Sequence, residues 1–239
     1  MEINQFKEKM NVYLKELNIE LTDLQLQQFY KYMNLLIDWN KKINLTAITE
    51  PEEIIEKHFI DSLTILEKIN KEDSIIDVGT GAGFPGIPIK IVYPKTKIVL
   101  LDSLNKRINF LKEVIKELDL KDIETIHARA EEAGRDNRFR EKFDIAVARA
   151  VAPANVLAEY LLPFVKTDGK SIFMKGSNWK DEIINGKNAI KKLGGELLPS
   201  EEFVIPKTDL KRNIIVVKKI KKTINCYPRK PGTPSKNPL

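Results

Sequence analysis

Residues 75–86 read Ile-Ile-Asp-Val-Gly-Thr-Gly-Ala-Gly-Phe-Pro-Gly, and this stretch decides the fold of the chain. A short apolar run ends at Val78, and four of the eleven glycines of the chain follow within eight positions. Glycine adopts positive φ without strain and lets another molecule approach the backbone closely. A strand that breaks into such a loop and continues into a helix is typical of a site for a nucleotide-like ligand. The stretch therefore predicts a bound cofactor, and the surrounding residues must identify it.

After Asp73 the sequence alternates between strand-like and helix-like runs. The predicted strands cover 75–78, 97–101, 123–127, 143–147 and 170–174, and the predicted helices cover 85–93, 105–118, 153–162 and 182–193. Such alternation gives a mostly parallel sheet with helices on both faces. Two late strands at 203–205 and 214–218 have no helix between them and predict an antiparallel closing pair. The expected fold is therefore α/β and Rossmann-like.

The two ends of the chain differ from this middle part. Residues 1–70 have the apolar spacing of amphipathic helices, with a capping box at 22–25 and a proline suited to a first helical turn at 51. Residues 223–239 are basic, and four prolines among the last twelve residues argue against a helix or strand. Such a tail suits an extended segment on a phosphate backbone or a disordered end. We expect a helical extension at 1–70, an α/β domain at 71–222 and a tail at 223–239.

Composition narrows the class of protein. The chain has 239 residues, of which 42% are hydrophobic and 31% charged. It contains no run of eighteen apolar residues and does not begin with the pattern of a signal peptide, so the sequence predicts neither a membrane span nor export. We expect a cytoplasmic monomer. One cysteine excludes an internal disulfide, and two histidines outside any ligand-spaced cluster predict no metal site. The net charge of 40 − 34 = +6 favours a polyanionic partner or, alternatively, reflects a solvated lysine-rich surface.

Residues around the glycine loop distinguish two classes of cofactor. The run from Gly81 to Gly86 matches the dinucleotide pattern G-x-G-x-x-G. However, Asp77 precedes the loop and Pro85 removes an amide donor, and both features disfavour a pyrophosphate. S-adenosylmethionine has no phosphate and carries a cationic sulfonium and an α-amino group, so Asp77 favours it through charge complementarity. Asp102 ends the next strand and is placed to accept both ribose hydroxyls, or to cap the helix that follows.

Basic residues follow three of the predicted strands, namely Arg129, Arg149 and Lys175. Ligands gather at the carboxyl ends of strands in open α/β sheets. We predict that these three strand ends are adjacent, so that a polyanion offsets the repulsion among the cations. The alternative for Lys175 is a lysine whose charged end reaches solvent from a strand end. His58 precedes Asp61 by three residues on an amphipathic helix, and we expect it to be a hydrogen-bonded core or interface residue.

Motifs spread over nearly the whole chain resemble one family. They are Asp77-Val-Gly-Thr-Gly-Ala-Gly-Phe-Pro-Gly-Ile-Pro, Leu101-Asp-Ser-Leu-Asn-Lys-Arg, Ala148-Arg-Ala, Met174-Lys-Gly, Asn44-Leu-Thr, His58…Asp61-Ser-Leu and a Pro-Arg-Lys-Pro-Gly-Thr-Pro tail. Together they resemble the small-subunit ribosomal RNA guanine-N7 methyltransferase family, once called glucose-inhibited division protein B. The resemblance implies a class I S-adenosylmethionine-dependent methyltransferase fold with a helical N-terminal extension. It also implies methylation of one guanine N7 in the decoding-region loop of bacterial 16S rRNA, either free or in the small ribosomal subunit.

The resemblance also implies roles for individual residues. Gly79, Phe84, Ala130, Glu131 and Arg149 would line the S-adenosylmethionine site, joining Asp77, Gly81 and Asp102 from the loop argument. The basic residues Lys106, Arg129, Lys175 and Arg212 would surround the RNA and the reacting base, with Arg149 and Lys175 as the catalytic residues.

Guanine N7 carries a bare lone pair, so direct methyl displacement needs no general base. Proximity and alignment can supply about 7–11 kcal/mol of the acceleration. Three alternatives remain open at this point. They are a methyltransferase acting on another nucleic acid or a protein, a non-catalytic RNA-binding or assembly module, and a nicotinamide oxidoreductase.

Overall fold

Eight β-strands form one mixed sheet within residues 1–176 and 179–239, the part of the chain that the computed structural model describes, the side chain of Glu201 excepted. The strands are β1 (Ser74–Val78), β2 (Lys97–Asp102), β3 (Ile123–His127), β4 (Phe143–Arg149), β5 (Val165–Lys175), β6 (Gly195–Leu197), β7 (Glu201–Val204) and β8 (Lys211–Lys219). Their order is β3-β2-β1-β4-β5-β8-β6, and β7 also pairs with β8. Neighbours from β3 to β5 are parallel, whereas β8 is antiparallel to its partners. The predicted α/β sheet with an antiparallel closing strand is confirmed.

Helices precede the sheet and connect its strands. They are α1 (Ile3–Glu16), α2 (Asp23–Asn40), α3 (Pro51–Ile54), α4 (Asp61–Leu63), α5 (Gly86–Val92), α6 (Asn105–Glu117), α7 (Ala130–Ala133), α8 (Ala154–Leu161), α9 (Trp179–Lys192) and α10 (Thr233–Lys236), and a π-helical turn (Ile55–Ile60) joins α3 to α4. The predicted capping box at Thr22 opens α2, with Gln25 as its partner. Within the same described ranges, no helix combines the length and the apolarity needed to cross a membrane.

Alternate residues of the parallel strands enter two cores on opposite faces of the sheet. Ile75 of β1 packs on the side of α1 and α2, and Ile76 packs on the side of α8 and α9. This alternation is the period of two that a strand imposes on its side chains. Phe6, Phe29 and Tyr32 are fully buried in the first core, so the N-terminal helices cover one face of the sheet. The division of the chain at residues 70 and 222 stays a prediction, since residues on both sides of position 70 share this core.

The C-terminal tail is folded against the rest of the protein, and the prediction of an extended or disordered segment is wrong. The guanidinium of Arg229 pairs with the buried carboxylate of Glu159 in α8, at 2.7 Å between Nη2 and Oε2. Pro234 is buried in the first turn of α10, where a helix needs no amide hydrogen. The prolines therefore permit a short helix, and the buried ion pair holds the tail in place.

Two strand boundaries also differ from the sequence prediction. β5 begins at Val165 rather than at residue 170, because Val165 pairs with Phe143 before a register shift in the ladder. β6 was not predicted, since its three residues, Gly195–Leu197, are too short to show a pattern of alternation. Pairing with β4 extends β5 and pairing with β8 forms β6, and local sequence encodes neither.

Candidate active site

Asp77 stabilises the glycine loop through hydrogen bonds with two of its residues. Its carboxylate is fully buried and accepts hydrogen bonds from the Thr80 hydroxyl at 2.6 Å and from the Gly86 amide at 2.9 Å, both at Oδ2. Burial raises the pKa of Asp77 to about 6, although these two hydrogen bonds act in the opposite direction. Asp77 does not line the cavity described below, so the contacts that it makes are within the loop. Its predicted attraction to a cationic cofactor stays a prediction.

Three glycines of the loop have positive φ, and two of them line the cavity described below. Gly79 and Gly81 have φ of +70° and +63°, in the region that favours glycine. A Cβ on Gly79 would lie 2.9 Å from Cγ2 of Val151, so this glycine makes room for the segment after β4. A Cβ on Gly81 would meet only the Gly79 carbonyl oxygen at 4.0 Å. The backbone of Gly81 is therefore open to a ligand.

A cavity of about 390 Å³ lies beside this loop. It is lined by Leu45, Thr46, His58, Gly79, Thr80, Gly81, Ala82, Phe84, Asp102, Ser103, Arg107, Arg149, Ala150 and Val151. A smaller cavity of about 100 Å³ shares Gly79, Asp102, Ser103 and Val151 with it and extends to Ala130, Glu131 and Tyr160. Small-molecule sites have volumes of about 300–1,000 Å³. The two cavities lie at the carboxyl ends of the strands, where ligands of this fold bind.

Asp102 lies where the two cavities meet. Its Oδ2 accepts from the Gly81 amide at 2.9 Å and from Nη1 of Arg107 at 3.2 Å. Its Oδ1 accepts from the Leu104 amide at 2.9 Å, just before α6 begins. The carboxylate thus links the glycine loop to the residue before α6. The N-cap of α6 is Leu104, whose side chain makes no capping hydrogen bond, so the capping alternative for Asp102 is wrong, and its predicted contact with a ribose stays a prediction.

Arg107 is a cavity residue to which the sequence prediction gave no role. Its buried Nε atom has no hydrogen-bond partner among the residues that the structure describes. A buried donor without a partner is costly unless a ligand or water satisfies it. The only sequence signal was its place in the Leu101-Asp-Ser-Leu-Asn-Lys-Arg motif.

Arg149, at the end of β4, connects the cavity to the N-terminal helices. Its Nη1 donates to Oδ2 of Asp61 at 3.0 Å and to the Lys57 carbonyl at 2.9 Å. Its Nη2 lies 3.0 Å from Nδ1 of His58. Arg212 in β8 donates from Nε to the other oxygen of Asp61 at 2.9 Å. One buried carboxylate therefore pairs with two of the predicted functional arginines, and the three groups together keep one positive charge.

His58 forms part of the cavity wall and packs directly against the glycine loop. Its ring stacks on Phe84 with centroids 4.4 Å apart and planes 20° apart, and its Nε2 lies 2.9 Å from Oγ1 of Thr46. Burial, together with the charge of Arg149, lowers the pKa of His58 to about 3, so the ring is neutral near pH 7. The expectation of a hydrogen-bonded core residue is confirmed. The guanidinium of Arg149 contacts the same phenyl ring, with Cζ 5.0 Å from the centroid of Phe84.

The three strand-end cations do not form the row that the sequence predicts. β3 and β4 are separated by β2 and β1, so Arg129 does not lie at a strand end adjacent to that of Arg149. Lys175 is buried and donates to Oε2 of Glu182 at 2.6 Å and to the Ala152 carbonyl at 2.7 Å. The predicted adjacency is wrong for Arg129, because chain order differs from sheet order, and it is confirmed for Arg149 and Lys175, whose strands β4 and β5 are neighbours. Both of these cations pair with carboxylates, and the predicted polyanion stays a prediction.

The other predicted site residues lie around the cavities. Arg129 is exposed and lines the smaller cavity, and Lys106 is exposed in the first turn of α6. Ala130 and Glu131 begin α7 in the wall of the smaller cavity. Oε1 of the buried Glu131 accepts from the Gly232 amide at 2.8 Å, so the C-terminal tail contacts this wall.

Leu45 and Thr46 were not predicted as site residues. The Asn44-Leu-Thr motif contains both of them, but only the folded chain brings this connector to the glycine loop. Among residues 1–176 and 179–239, no three His, Cys, Asp or Glu side chains are grouped as a metal site requires.

Comparisons with known proteins place the chain in a family. The model of the GidB family, rRNA small subunit methyltransferase G, matches residues 25–215. The chain is 58% identical over 222 residues to ribosomal RNA small subunit methyltransferase G of Acetivibrio thermocellus, covering 92% of this chain and 91% of the relative. It is 53% identical over 227 residues to the protein of that name from Alkaliphilus metalliredigens, covering 94% and 95%.

Among solved structures, TYW2 of M. jannaschii in complex with AdoMet matches with a TM-score of 0.55 and 18% identity, covering 73% of this chain and 80% of that one. This likeness concerns the fold, which is the class I methyltransferase fold that the sequence predicts. The family model spans both the helical N-terminal part and the sheet, so the chain belongs to the GidB family of rRNA small subunit methyltransferases G.

Proposed function

We propose that this protein transfers a methyl group from S-adenosylmethionine to N7 of one guanine in the decoding-region loop of bacterial 16S rRNA. The observation that carries the proposal is the cavity between the glycine loop, Asp102 and Arg149 in a member of the rRNA small subunit methyltransferase G family. Family membership supports the reaction, and the cavity supports a place for the donor. The choice of N7 and of the decoding-region loop rests on the motif resemblance.

The residues of the two cavities fit S-adenosylmethionine. Asp102 would accept the ribose hydroxyls, and Gly81 leaves open backbone beside it. Ala130 and Glu131 would border the adenine in the smaller cavity, and the guanidinium of Arg149 would attract the carboxylate of the methionine part. Arg107, which lines the larger cavity and holds Asp102, adds a guanidinium beside this carboxylate.

When bound, S-adenosylmethionine supplies an electrophilic methyl group that a nitrogen lone pair can accept directly. Guanine N7 has no proton to lose, so the chain needs no general base. The neutral His58 therefore takes no proton, and its part is to hold its neighbours in position. The protein contributes by excluding water from the cavity and by aligning the base, which can supply about 7–11 kcal/mol.

We propose Arg149 and Lys175 as the catalytic residues, and different observations bear on each of them. Arg149 lines the cavity and can contact a ligand there. Lys175 contacts Ala152, in the segment that follows β4, and its charge is paired with Glu182. To touch the base, Lys175 would have to leave Glu182, so we propose that the RNA phosphates compete for it.

The RNA would reach the cavity past Lys106 and Arg129, which are exposed, and Arg212, which is partly exposed. Contacts from such side chains to phosphates position a nucleic acid without reading its sequence. As expected from the sequence, the protein would act as a monomer. Because its substrate is ribosomal RNA, we place the reaction in the cytoplasm.

Methyl incorporation tests the proposal. The protein is incubated with tritiated S-adenosylmethionine and either unmethylated small-subunit rRNA or small subunits from cells that lack this modification. We expect label in at least one of the two substrates, and incorporation in neither would contradict the proposal. Calorimetry with S-adenosylmethionine and with NADH separates the alternatives. Donor binding without turnover would favour a non-catalytic RNA-binding module, and NADH binding alone would favour an oxidoreductase.

A further inference from the structure

The hydrogen bonds around His58 determine where its proton lies. An arginine side chain can only donate, so Nδ1 of His58, 3.0 Å from Nη2 of Arg149, accepts. A neutral imidazole then carries its single proton on Nε2. The Lys57 carbonyl oxygen, 3.2 Å from Nδ1, cannot bond to a ring nitrogen without a proton, and it accepts from Nη1 of Arg149 instead. Arg149 therefore fixes the tautomer of His58.

The tautomer of His58 in turn determines the role of the Thr46 hydroxyl. A hydroxyl oxygen has two lone pairs and one proton. The Nε2–H group of His58 donates to Oγ1 of Thr46 at 2.9 Å, and the Ile48 amide donates to the same oxygen at 3.1 Å. Both lone pairs are thus occupied, and the hydroxyl proton has no acceptor among the residues that the structure describes. Because Thr46 lines the cavity, this proton is available to a ligand there.

We propose that Thr46 is an obligatory hydrogen-bond donor for an acceptor oxygen of a ligand in this cavity, and that His58 is the positioning residue that keeps it so. The proposal deepens the proposed function and rests on it for the identity of the ligand. Two oxygens share the required chemistry, namely O6 of the target guanine and the carboxylate of the methionine part of the donor. If O6 is the acceptor, Thr46 also discriminates against adenine, which presents an amino donor at that position.

Three variants test the network on the full-length protein. Thr46→Val removes the hydroxyl and keeps the branched shape. His58→Leu removes the ring, whereas His58→Gln keeps an oxygen that can accept from Arg149 and an amide that can donate to Thr46. Thr125→Val is the matched control, because Thr125 is a partly buried threonine in β3 outside both cavities. Thermal melts are compared first to confirm that each variant folds.

Binding and turnover are then measured separately. We expect Thr46→Val to weaken either the binding of S-adenosylmethionine or the kcat/KM for the RNA by about ten-fold. This factor corresponds to the loss of a hydrogen bond of roughly 1.4 kcal/mol. A ten-fold rise in the Kd for S-adenosylmethionine identifies the donor carboxylate as the acceptor. An unchanged Kd with a ten-fold loss of kcat/KM for the RNA identifies guanine O6. His58→Gln should retain more of the affected quantity than His58→Leu, and Thr125→Val should match the wild type.

The proposal has a readout that does not depend on catalysis. Nitrogen-15 NMR of the wild-type protein at neutral pH should show His58 protonated at Nε2 only. A ring protonated at Nδ1, or at both nitrogens, would overturn the proposal, as would values for Thr46→Val within two-fold of the wild type in both Kd and kcat/KM. If the wild type binds the donor and methylates no RNA, the proposed function fails. In that case the Kd for S-adenosylmethionine and the tautomer of His58 still test the proposed hydrogen-bond network by themselves.

Discussion

The cavity has two walls that are held together by different means. The loop wall, residues 77–84 with Asp102, is held largely by hydrogen bonds at Asp77 and Asp102 whose partners are at most 21 residues apart in the chain, and one long-range bond, from the Tyr32 hydroxyl to the Ala82 carbonyl, ties it to α2. The helical wall, Leu45, Thr46 and His58 with Asp61 behind them, is held by side chains from distant parts of the chain. Arg149 is 88 residues from Asp61, and Arg212 is 151 residues from it. The loop wall is thus encoded mainly by local contacts, with a long-range contact at Ala82, whereas the helical wall exists only after the sheet and the N-terminal helices have packed together.

The two walls also differ in how they carry charge. Asp77 of the loop wall is fully buried and accepts from a hydroxyl and a backbone amide rather than from a basic side chain, and burial raises its pKa. Asp61 of the helical wall is buried as well, but it accepts from two guanidinium groups. A buried charge is tolerated when it is paired and becomes costly when one partner is removed. The helical wall should therefore be more sensitive to the loss of a single charge.

The largest effect is expected for Asp61→Asn, which leaves Arg149 and Arg212 without their shared carboxylate. Removing one side of a buried ion pair costs about 3–5 kcal/mol, so the free energy of unfolding in urea should fall by about that amount. The matched control is Asp38→Asn, which removes an exposed partner of Lys41. An equal stability of Asp61→Asn and the control would show that the helical wall is not held by this carboxylate.

Glycine substitutions in the loop wall should reduce stability somewhat less than Asp61→Asn does. They should also distinguish a glycine without space for a side chain from a glycine that lines the cavity. Gly83 has φ of +100°, and a Cβ there would lie 2.7 Å from the Tyr32 hydroxyl oxygen, so Gly83→Ala should cost about 2 kcal/mol in unfolding free energy. Gly81→Ala should cost about 1–2 kcal/mol, because its φ of +63° is only moderately strained and its Cβ has space. Calorimetry should show the greater loss of donor affinity for Gly81→Ala, whose methyl group enters the cavity. The reverse order of affinities would mean that the donor does not lie against Gly81.

Much of the loop wall could be predicted from the sequence, and little of the helical wall could. Asp77, Gly81 and Asp102 lie at or just after strand ends, so local pattern and general topology predict that they come together around the glycine loop. The order of the strands is set by long-range packing, which is why Arg129 and Arg149 were wrongly placed at adjacent strand ends. Asp61 was noted only as part of a motif, because nothing near it in the chain reveals the two arginines that it binds.

The tail and the connector at Thr46 show the same limit. Arg229 is read from the sequence as one more free cation, but the buried Glu159 that binds it is 70 residues away. Thr46 carries no chemical signal by itself, since its role depends on a hydrogen bond from His58 and on the closeness of the glycine loop. Local patterns therefore predict the elements, and tertiary contacts assign the partners of individual side chains.

The two walls should respond to pH in opposite directions. His58 has a folded-state pKa of about 3, below its usual value of 6.5, so its contribution to stability is lost as pH falls from 6.5 toward 3. Asp77 has a folded-state pKa of about 6, above its usual value of 3.8, so its contribution is lost as pH rises from 3.8 to 6. Between pH 4 and 6 the two slopes, each at most about 1.4 kcal/mol per pH unit, oppose one another.

Single substitutions should separate these slopes. Relative to the wild type, His58→Gln should lose stability as pH rises from 4 to 6, because only the Asp77 term remains. Asp77→Asn should gain stability over the same range, because only the His58 term remains. Urea unfolding at pH 4, 5 and 6 measures both slopes. Slopes of the same sign in the two variants would contradict the assigned charge states.

The smallest effect is expected outside both walls, at the proposed RNA surface. Lys106→Gln should weaken binding of small-subunit rRNA and reduce the slope of log affinity against log salt concentration by about 1. The Kd for S-adenosylmethionine should not change, since Lys106 lines neither cavity. The control is Lys116→Gln, which removes an exposed lysine from the last turn of the same helix. Equal salt slopes for the two variants would place the RNA elsewhere.

The atom that receives the methyl group tests the account most directly. Unmethylated small subunits or their rRNA are incubated with the protein and S-adenosylmethionine, the RNA is digested, and mass spectrometry locates the added methyl group. We predict one N7-methylguanosine in the decoding-region loop of the 16S rRNA, formed by the wild type and strongly reduced in Arg149→Ala. A methyl group on another atom or another RNA, or none while the donor binds normally, would contradict the account.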